Sequence, residues 1–250
     1  MSISSPRSSA KAIVARASAG DQALPMRDRI KACALDLLIE YGYRGLSFGN
    51  IATALDTTRA NIHYHFGHKE TLVEEVLADY TRDTIRSTAA IFEDPDLSLM
   101  QKIEQVVAYS RKRYLKYNPP GNEGRPWSLI ARMRQDGNFL TAHSHAALQD
   151  FSRDLQACIL KAVISARDRK EFVASTPVDD IALQLFGIAN SASPITQDAG
   201  SYERLEQLYL GFARIIAHAF GTRKKPASAV AGTMGIGDQL RATRRGKHLP

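Results

Sequence analysis

Apolar residues recur at helical spacing through most of the chain between residues 27 and 221, and this periodicity limits the possible folds more than any other feature. In the segment 202–220, for example, Leu205, Leu208 and Phe212 fall on one stripe of a helix. The alternation of apolar and polar residues that is typical of strands does not persist in any of these segments. The sequence therefore predicts an all-α fold.

The two ends of the chain differ from this central region in composition. Residues 1–26 are rich in Ser and Ala, and residues 222–250 combine Gly, Pro and charge without a helical period, so both are predicted to be disordered tails. No apolar run approaches the roughly 18 residues of a membrane span, and the N-terminus lacks the apolar stretch of a signal peptide. We therefore expect a cytoplasmic protein. The two cysteines, Cys33 and Cys158, fit no disulfide framework and are expected in the core.

The net charge of +7 suggests a nucleic acid as a partner, but most of it lies in the tails. Residues 222–250 carry seven Lys or Arg against one Asp, a net +6, and residues 1–26 carry three basic residues against one Asp, a net +2. The region 27–221 therefore has a net charge of −1. DNA binding by this region has to rest on where individual basic side chains lie.

The segment 27–77 divides into a long helix, two short helices and the start of a second long helix. Ser and Thr residues that can cap helix N-termini precede both short helices, and glycines follow the first and third helices. The predicted boundaries are Arg27 and Gly42 for the first helix, Ser47 and Asp56 for the second, Thr58 and Gly67 for the third, and Lys69 for the start of the fourth.

Later helices are less sharply bounded by their sequence. The clearest starts are Thr176-Pro177, where Asp179 nearly completes a capping box, and Ser201 before the last apolar stripe. The predicted helices lie at about 98–117, 126–135, 141–168, 177–193 and 202–220.

Three histidines, His63, His65 and His68, occupy the stretch HYHFGHK and raise the question of a metal site. On a helix, His63 and His65 point about 200° apart, so they cannot hold one ion together. Gly67 separates His65 from His68, and neither a cysteine nor a pair of carboxylates stands nearby to complete a tetrahedral set. We therefore predict no metal site, no cofactor and no catalytic residues here.

The two short helices instead predict a helix-turn-helix, whose second helix can lie in the major groove of DNA. Arg59 is able to donate to guanine and Asn61 to pair with adenine, while Ala60 keeps the approaching surface slim. The alternative for Arg59 and Asn61 is an ordinary solvated face. The residues predicted to pack the motif on the first helix are Ile51, Leu55, Ile62 and Phe66.

Four side chains later in the motif are predicted to contact the DNA backbone rather than the bases: His63, Tyr64, His65 and Lys69. They can bind phosphates together with the amide groups that open the fourth helix. For Tyr64 and His65 the alternative is packing against the first helix. The complete set of candidate DNA-binding residues is Ser47, Thr58, Arg59, Ala60, Asn61, His63, Tyr64, His65 and Lys69.

The stretch LSFGNIATALDTTRANIHYHFGHKETLVEEVL, residues 46–77, closely resembles the signature of the TetR (tetracycline-repressor-like) family. In that family an I-A-x-x-x-G-[VI]-S turn precedes a helix that ends in a run such as Y-x-H-F, and x-x-K-x-x-L follows. The matching positions are Ile51-Ala52, Thr58, Ile62, Tyr64-His65-Phe66, Lys69 and Leu72.

The chain departs from the family pattern at two turn positions. Asp56 stands where the family usually has glycine, and the position often needs positive φ, which Asp tolerates better than most residues. Thr57 replaces a usual apolar residue, so we expect one small core contact to be weaker. The turn is therefore expected to form at some cost.

The resemblance implies a DNA-binding domain at 27–72 and a helical ligand-binding and dimerisation domain at 73–221. It also implies that the last two helices form a four-helix interface with a second copy of the chain. The alternative is that their apolar stripes serve a single monomer core. The candidate dimer-interface residues are Leu185, Phe186, Leu205, Leu208, Tyr209, Phe212 and Ile216.

A small-molecule effector of unknown identity is the second partner that the resemblance implies. Aromatic and flexible apolar residues of the middle helices suit a mostly apolar pocket, although such residues are more often simple core. A basic cluster at 111–116 is able to attract an anion, but a solvated face is the simpler interpretation. The candidate ligand-binding residues are Tyr109, Tyr114, Trp127, Leu129, Met133 and Phe151.

These observations favour a transcriptional regulator, with repression as the family's commoner role, that binds a palindromic operator as a dimer and is released by its ligand. An enzyme is not expected, because the sequence contains no G-x-S-x-G elbow, phosphate-binding loop or dinucleotide fingerprint. The rival hypothesis is a sequence-tolerant architectural DNA-binding protein that depends on its basic tails.

Overall fold

The computed structural model describes residues 24–222, which form ten α-helices and contain no strand beyond one isolated bridge. The predicted all-α fold is confirmed. Nearly all of the two predicted tails, residues 1–23 and 223–250, lies outside the described residues. The helices are α1 (Met26–Gly45), α2 (Phe48–Leu55), α3 (Arg59–Phe66), α4 (Lys69–Phe92), α5 (Leu99–Tyr117), α6 (Leu129–Gln135), α7 (Ala142–Asp168), α8 (Val178–Asn190), α9 (Ala192–Ala199) and α10 (Glu203–Phe220).

Helices α1, α2 and α3 form a small unit around a shared apolar core, and α4 packs against α1 and α3. The predicted packing residues Ile51, Ile62 and Phe66 are buried, while Leu55 is half-buried against the same core. From α1, Ile30 and Leu38 complete this core. The burial of one face of each short helix leaves the opposite face of α3 exposed.

The predicted caps of the two short helices are confirmed. The Ser47 hydroxyl accepts a hydrogen bond from the Asn50 amide at 3.1 Å, and the Thr58 hydroxyl accepts one from the Asn61 amide at 3.1 Å. Asp56 ends α2 in the left-handed conformation, with φ of 51°. The positive φ expected at this family glycine position is therefore present, and Asp adopts it.

Several boundaries in the body differ from the prediction. The helix predicted at 177–193 ends at Asn190, and a separate helix, α9, follows it. Thr176 donates its hydroxyl hydrogen to the Val173 carbonyl and does not cap α8, whose N-cap is Pro177. The N-cap of α10 is Tyr202 rather than Ser201. Local sequence predicts a cap wherever a hydroxyl precedes a helix, but the Val173 carbonyl competes with the helix amides for the Thr176 hydroxyl.

The body is built on α4, which packs along α7, and α8 packs on the other side of α7. Helices α5 and α10 close the remaining sides, and core residues such as Val106, Leu155 and Leu205 are buried between them. No helix within residues 24–222 is both long and apolar enough to cross a membrane.

Gly42 interrupts α1 with a φ of 71°, so the first helix is broken where the sequence predicted its end. A side chain there would collide with the Asp136 carboxylate and approach the Arg132 Nε to 2.7 Å. Asp136 uses this space to accept a hydrogen bond from the Tyr43 amide at 2.7 Å. The glycine therefore permits a direct contact between the end of α1 and the end of α6.

Candidate DNA-binding surface and internal cavity

The outer face of α3 is formed by polar side chains that the core does not use. Among the predicted DNA-binding residues, half-buried positions are Asn61, His65 and Lys69. Within residues 44–69, three basic residues accompany a single acidic one, Asp56, so the surface is locally cationic. The exposed members of the set are Ser47, Thr58, Arg59, Ala60, His63 and Tyr64.

The Arg59 side chain extends across the start of α2. A Cβ atom added to Gly49 would lie 2.7 Å from its Nη2 and 2.9 Å from its Nε, so the glycine leaves room for the guanidinium. Arg59 makes no hydrogen bond or ion pair with any other residue in 24–222. Its five N–H donors are thus free for an acceptor outside the chain.

Asn61 has an internal partner that sequence reasoning missed. Its side-chain amide donates to the Thr57 hydroxyl at 3.0 Å, so the threonine that departs from the family pattern holds the first turn of α3. Recognition of adenine by Asn61 would require this hydrogen bond to break or to be shared.

The two aromatic residues that follow are held differently. The His63 Nδ1 lies 2.9 Å from the Gly67 carbonyl oxygen, which favours the tautomer with hydrogen on Nδ1, and its ring meets Phe48 edge to face. Tyr64 is 85% exposed. Its ring meets the His65 ring edge to face, and its hydroxyl has no hydrogen-bond partner among residues 24–222, so the hydroxyl is available to a partner.

Lys69 lies at the start of α4, beside the end of α1. Its ammonium nitrogen is 4.2 Å from the centre of the Tyr43 ring, and burial lowers the pKa of the lysine. Tyr43 donates its hydroxyl hydrogen to Glu70 at 3.0 Å; burial, followed by that bond, raises the pKa of the tyrosine to about 12. Tyr43 therefore positions Lys69 through a cation–π contact.

An internal cavity of about 110 Å³ lies in the body, enclosed mainly by α4 to α8 with Tyr209 from α10. Of the six predicted ligand-binding residues, Tyr109, Trp127 and Phe151 line it. Tyr114, Leu129 and Met133 are buried in the surrounding core and do not line it. The apolar part of its wall is Phe92, Ile103, Val106, Ile130, Phe151, Leu155, Ile159, Leu185 and Tyr209.

Arg113 contributes a charged group to the cavity wall, where the sequence favoured a solvated face for it. Its Nη1 donates to the Tyr109 hydroxyl at 2.8 Å and to the Thr84 hydroxyl at 2.9 Å. Its Cζ is 4.4 Å from the centre of the Tyr80 ring. By contrast, Arg111 of the same helix forms an ion pair with Glu206 at 3.2 Å.

A wider groove of about 630 Å³ adjoins the cavity, between α1, α4 and α5. The two spaces share Tyr80, Thr84, Tyr109 and Arg113, so Arg113 lies at the boundary between them. The groove also borders Lys31, whose ammonium is 2.8 Å from Asp79. The groove therefore lies between the cavity wall and helix α1.

Helices α8 and α10 carry an exposed apolar surface, which we call the α8–α10 face and define by Leu183, Phe186, Leu208, Phe212 and Ile215. Leu183 is 53% exposed, Leu208 40% and Ile215 64%, while Phe186 and Phe212 are half-buried. Of the seven predicted interface residues, three lie on this face: Phe186, Leu208 and Phe212. The other four are buried in the protomer's own core: Leu185, Leu205, Tyr209 and Ile216.

The described residues contain no cluster of three or more His, Cys, Asp or Glu side chains that would suit a metal ion. Cys33 is buried, and Cys158 is half-buried against the core. The candidate binding features among residues 24–222 are the α3 surface, the cavity with its adjoining groove, and the α8–α10 face.

Residues 30–76 match the family model of bacterial regulatory proteins, tetR family. No curated protein matches the chain by sequence. The matched segment contains α2 and α3 entire, together with most of α1 and the first turns of α4.

The whole described fold is similar to solved structures of regulators. The reduced form of NemR from E. coli matches with a TM-score of 0.65 and 14% identity, over 80% of this chain and 98% of that one. A TetR transcriptional regulator from Legionella pneumophila matches with a TM-score of 0.62 and 22% identity, over 77% and 97%. A putative regulator from Saccharomonospora viridis, in complex with choline, matches with a TM-score of 0.63 and 18% identity, over 79% and 98%.

Proposed function

We propose that the chain is a transcriptional repressor of the TetR family, released from its operator by a small-molecule effector, because residues 30–76 match the family model and the described fold is similar to that of TetR regulators. In this proposal a homodimer binds a palindromic DNA site with one α3 in each half-site. The observation that carries it is the outer face of α3, which is exposed, locally cationic and free of internal ion pairs.

Sequence readout is assigned to the first turn of α3. Arg59 has unused donors that suit the O6 and N7 acceptors of guanine. The small side chain of exposed Ala60 allows the backbone of α3 to approach the DNA bases closely. Tyr64 and Lys69 lie farther along the surface and are assigned to phosphates. These roles are assigned from exposure and hydrogen-bonding capacity. Asn61 is given no base contact, because its side-chain amide already donates to Thr57.

The α8–α10 face supports a dimer. Large apolar side chains this exposed remain in contact with water in the free protomer, and they lie on two helices that contact each other, which is the kind of surface that a partner covers. A second copy is the partner that the operator requires, because two recognition helices about 34 to 36 Å apart read one face of a palindrome. One short helix alone makes too few base contacts for high specificity.

Three cross-domain contacts are suited to carry a ligand signal from the cavity to α1. Asp36 of α1 accepts hydrogen bonds from the Tyr117 hydroxyl at 2.9 Å and from the Lys116 ammonium at 3.1 Å, both one turn beyond Arg113 on α5. The other two contacts are Lys31 with Asp79 and the Tyr43 amide with Asp136.

In the proposed mechanism, a ligand in the cavity favours a position of α5 and α6 that turns α1, and with it α3, out of register with the operator. The ligand can shift the two states only by its difference in affinity for them, typically about 1 to 3 kcal/mol. We therefore expect roughly 5- to 150-fold weaker operator binding when the cavity is filled.

The test is selection of DNA from a random pool by the full-length protein at near-physiological salt, repeated with a variant that lacks residues 222–250. Enrichment of a palindrome by both proteins supports the proposal. If neither enriches a motif, and binding depends steeply on salt and is lost on truncation, the architectural hypothesis replaces it.

A further inference from the structure

The wall of the internal cavity has an unusual charge balance. Two arginines, Arg113 and Arg134, line it, and no Asp or Glu does so among the residues the structure describes. Neither arginine forms an ion pair: Arg134 donates to the Asn190 amide oxygen at 2.8 Å and to the Ser152 hydroxyl at 2.7 Å. Neutral groups thus satisfy part of each guanidinium without cancelling its charge.

Arg113 is the more enclosed of the two, being half-buried where Arg134 is exposed. Both hydrogens on its Nη1 are used by the hydroxyls of Tyr109 and Thr84, which fixes the plane of the guanidinium. The hydrogens on Nη2 and Nε have no partner among the described residues, and they form the edge that binds a carboxylate through two parallel hydrogen bonds. The charge persists at any physiological pH, because arginine is effectively always protonated.

The rest of the wall selects for an apolar group. A cavity of about 110 Å³ is somewhat smaller than the engineered cavity of about 150 Å³ that holds benzene in another protein, so a single ring or a short chain is the size that suits it. Burying such a group against Phe92, Ile159 and Leu185 contributes roughly 25 cal/mol for each Å² removed from water.

From this juxtaposition we propose that the effector is a small monocarboxylate, with its carboxylate on Arg113 and an apolar ring or short chain in the cavity. The inference rests on the proposed function, since it takes the cavity to be the effector site.

The arrangement also argues against a cationic effector. The regulator from Saccharomonospora viridis was solved with choline, a quaternary ammonium ion, and its similarity to this chain is 18% identity. In this chain two uncompensated arginines would repel such an ion, so the shared fold does not imply a shared ligand.

The experiment is calorimetric titration of the full-length protein, without DNA, with benzoate and hexanoate and with their neutral counterparts benzyl alcohol and hexan-1-ol. We expect each carboxylate to bind at least about tenfold more tightly than its alcohol, the effect of a hydrogen-bonded charge pair. Equal binding of acids and alcohols, or no binding of either acid, would overturn the inference.

Two variants assign the effect to one side chain. Arg113→Gln should remove the preference for acids and retain binding of the alcohols, which also shows that the cavity is intact. Lys112→Gln removes the same charge from the neighbouring exposed position and should leave the preference unchanged. If Arg113→Gln fails to fold, Arg113→Lys takes its place, and an unaltered preference there contradicts the two-bond geometry.

Operator release is measured separately with the same compounds. Binding of carboxylates at Arg113 without any change in operator affinity supports this inference and contradicts the proposed switch. Operator binding that other compounds release, with no preference for carboxylates, supports the switch and overturns the inference.

Discussion

The DNA-binding domain and the body of this protein use their side chains in opposite ways. In the domain, residues within one short segment divide cleanly: one face of α3 is core and the other is exposed and polar. In the body, adjacent positions have unrelated roles, as Arg111 forms an ion pair on the surface while Arg113 lines the cavity. A substitution on the surface site therefore changes few internal contacts, whereas a substitution in the cavity wall also changes the hydrogen bonds and packing of its neighbours.

The largest effect is expected from Ile215→Glu, which places a charge on the α8–α10 face. If this face joins two copies, the protein should sediment as a monomer, and operator binding should fall toward the non-specific level, about 10³-fold or more weaker. Leu115→Glu is the matched control, since Leu115 is also half exposed but lies on α5. An unchanged dimer in Ile215→Glu would show that the exposed face has another purpose.

Gly42→Ala tests the junction between the two regions. The positive φ of Gly42 and the collision with Asp136 should lower the free energy of unfolding by roughly 2 to 4 kcal/mol, measured by denaturant titration. Gly137→Ala serves as the control, because a methyl group there would meet His145 at an ordinary 3.6 Å. Equal stability of the two variants would mean that the Tyr43–Asp136 contact is dispensable.

Arg59→Ala tests whether the exposed face of α3 is a surface site. The free energy of unfolding should stay within about 0.5 kcal/mol of the parent, because Arg59 has no internal partner. Operator binding should weaken by about 1 to 3 kcal/mol, with relaxed preference at one base pair, measured on a panel of single-base operator variants. Unchanged preference across the panel contradicts the proposed base contact.

The smallest effect is expected from Lys69→Gln. A lost phosphate contact weakens all DNA sequences alike and reduces the slope of log affinity against log salt by about 1. Lys161→Gln is the control, because that lysine lies on α7 and pairs with Glu93 at the end of α4 away from Lys69. A change in sequence preference for Lys69→Gln would move this residue from the backbone to the bases.

The short helices could be predicted from sequence because their determinants are local. Ser47 and Thr58 each cap an amide three residues ahead, and the apolar positions between them repeat at helical spacing. Helix α9 was not predicted, because Pro194 indicates the end of a helix at 193, whereas in the structure α8 ends at Asn190 and Pro194 lies in the first turn of α9, where a proline is tolerated. The predicted cap at Thr176 was wrong, because the Thr176 hydroxyl donates to the Val173 carbonyl instead of accepting a hydrogen bond from an amide of α8.

The cavity and the α8–α10 face depended on packing that sequence periodicity does not contain. Trp127 and Met133 are equally apolar, yet only Trp127 lines the cavity. The stripe on α10 was recognised, but its period alone does not separate buried Tyr209 from exposed Leu208. For Arg113 the sequence allowed both an anion site and a solvated face, and the solvated face was preferred because a basic residue among basic neighbours is typical of it.

The end of α10 is bound to the loop after α7, and this attachment fixes the distance between the end of the described chain and α3. Gly221 pairs with Phe172, and Glu171 of the same loop accepts a hydrogen bond from the Leu99 amide, so the attachment lies beside the loop that follows α4. Helix α4 has 24 residues and is therefore about 36 Å long, with α3 beside its opposite end. The described part of the chain therefore ends about one length of α4 away from α3 of the same protomer. Shortening residues 223–250 stepwise, with operator affinity measured for each variant, would show over what distance their charge contributes to binding.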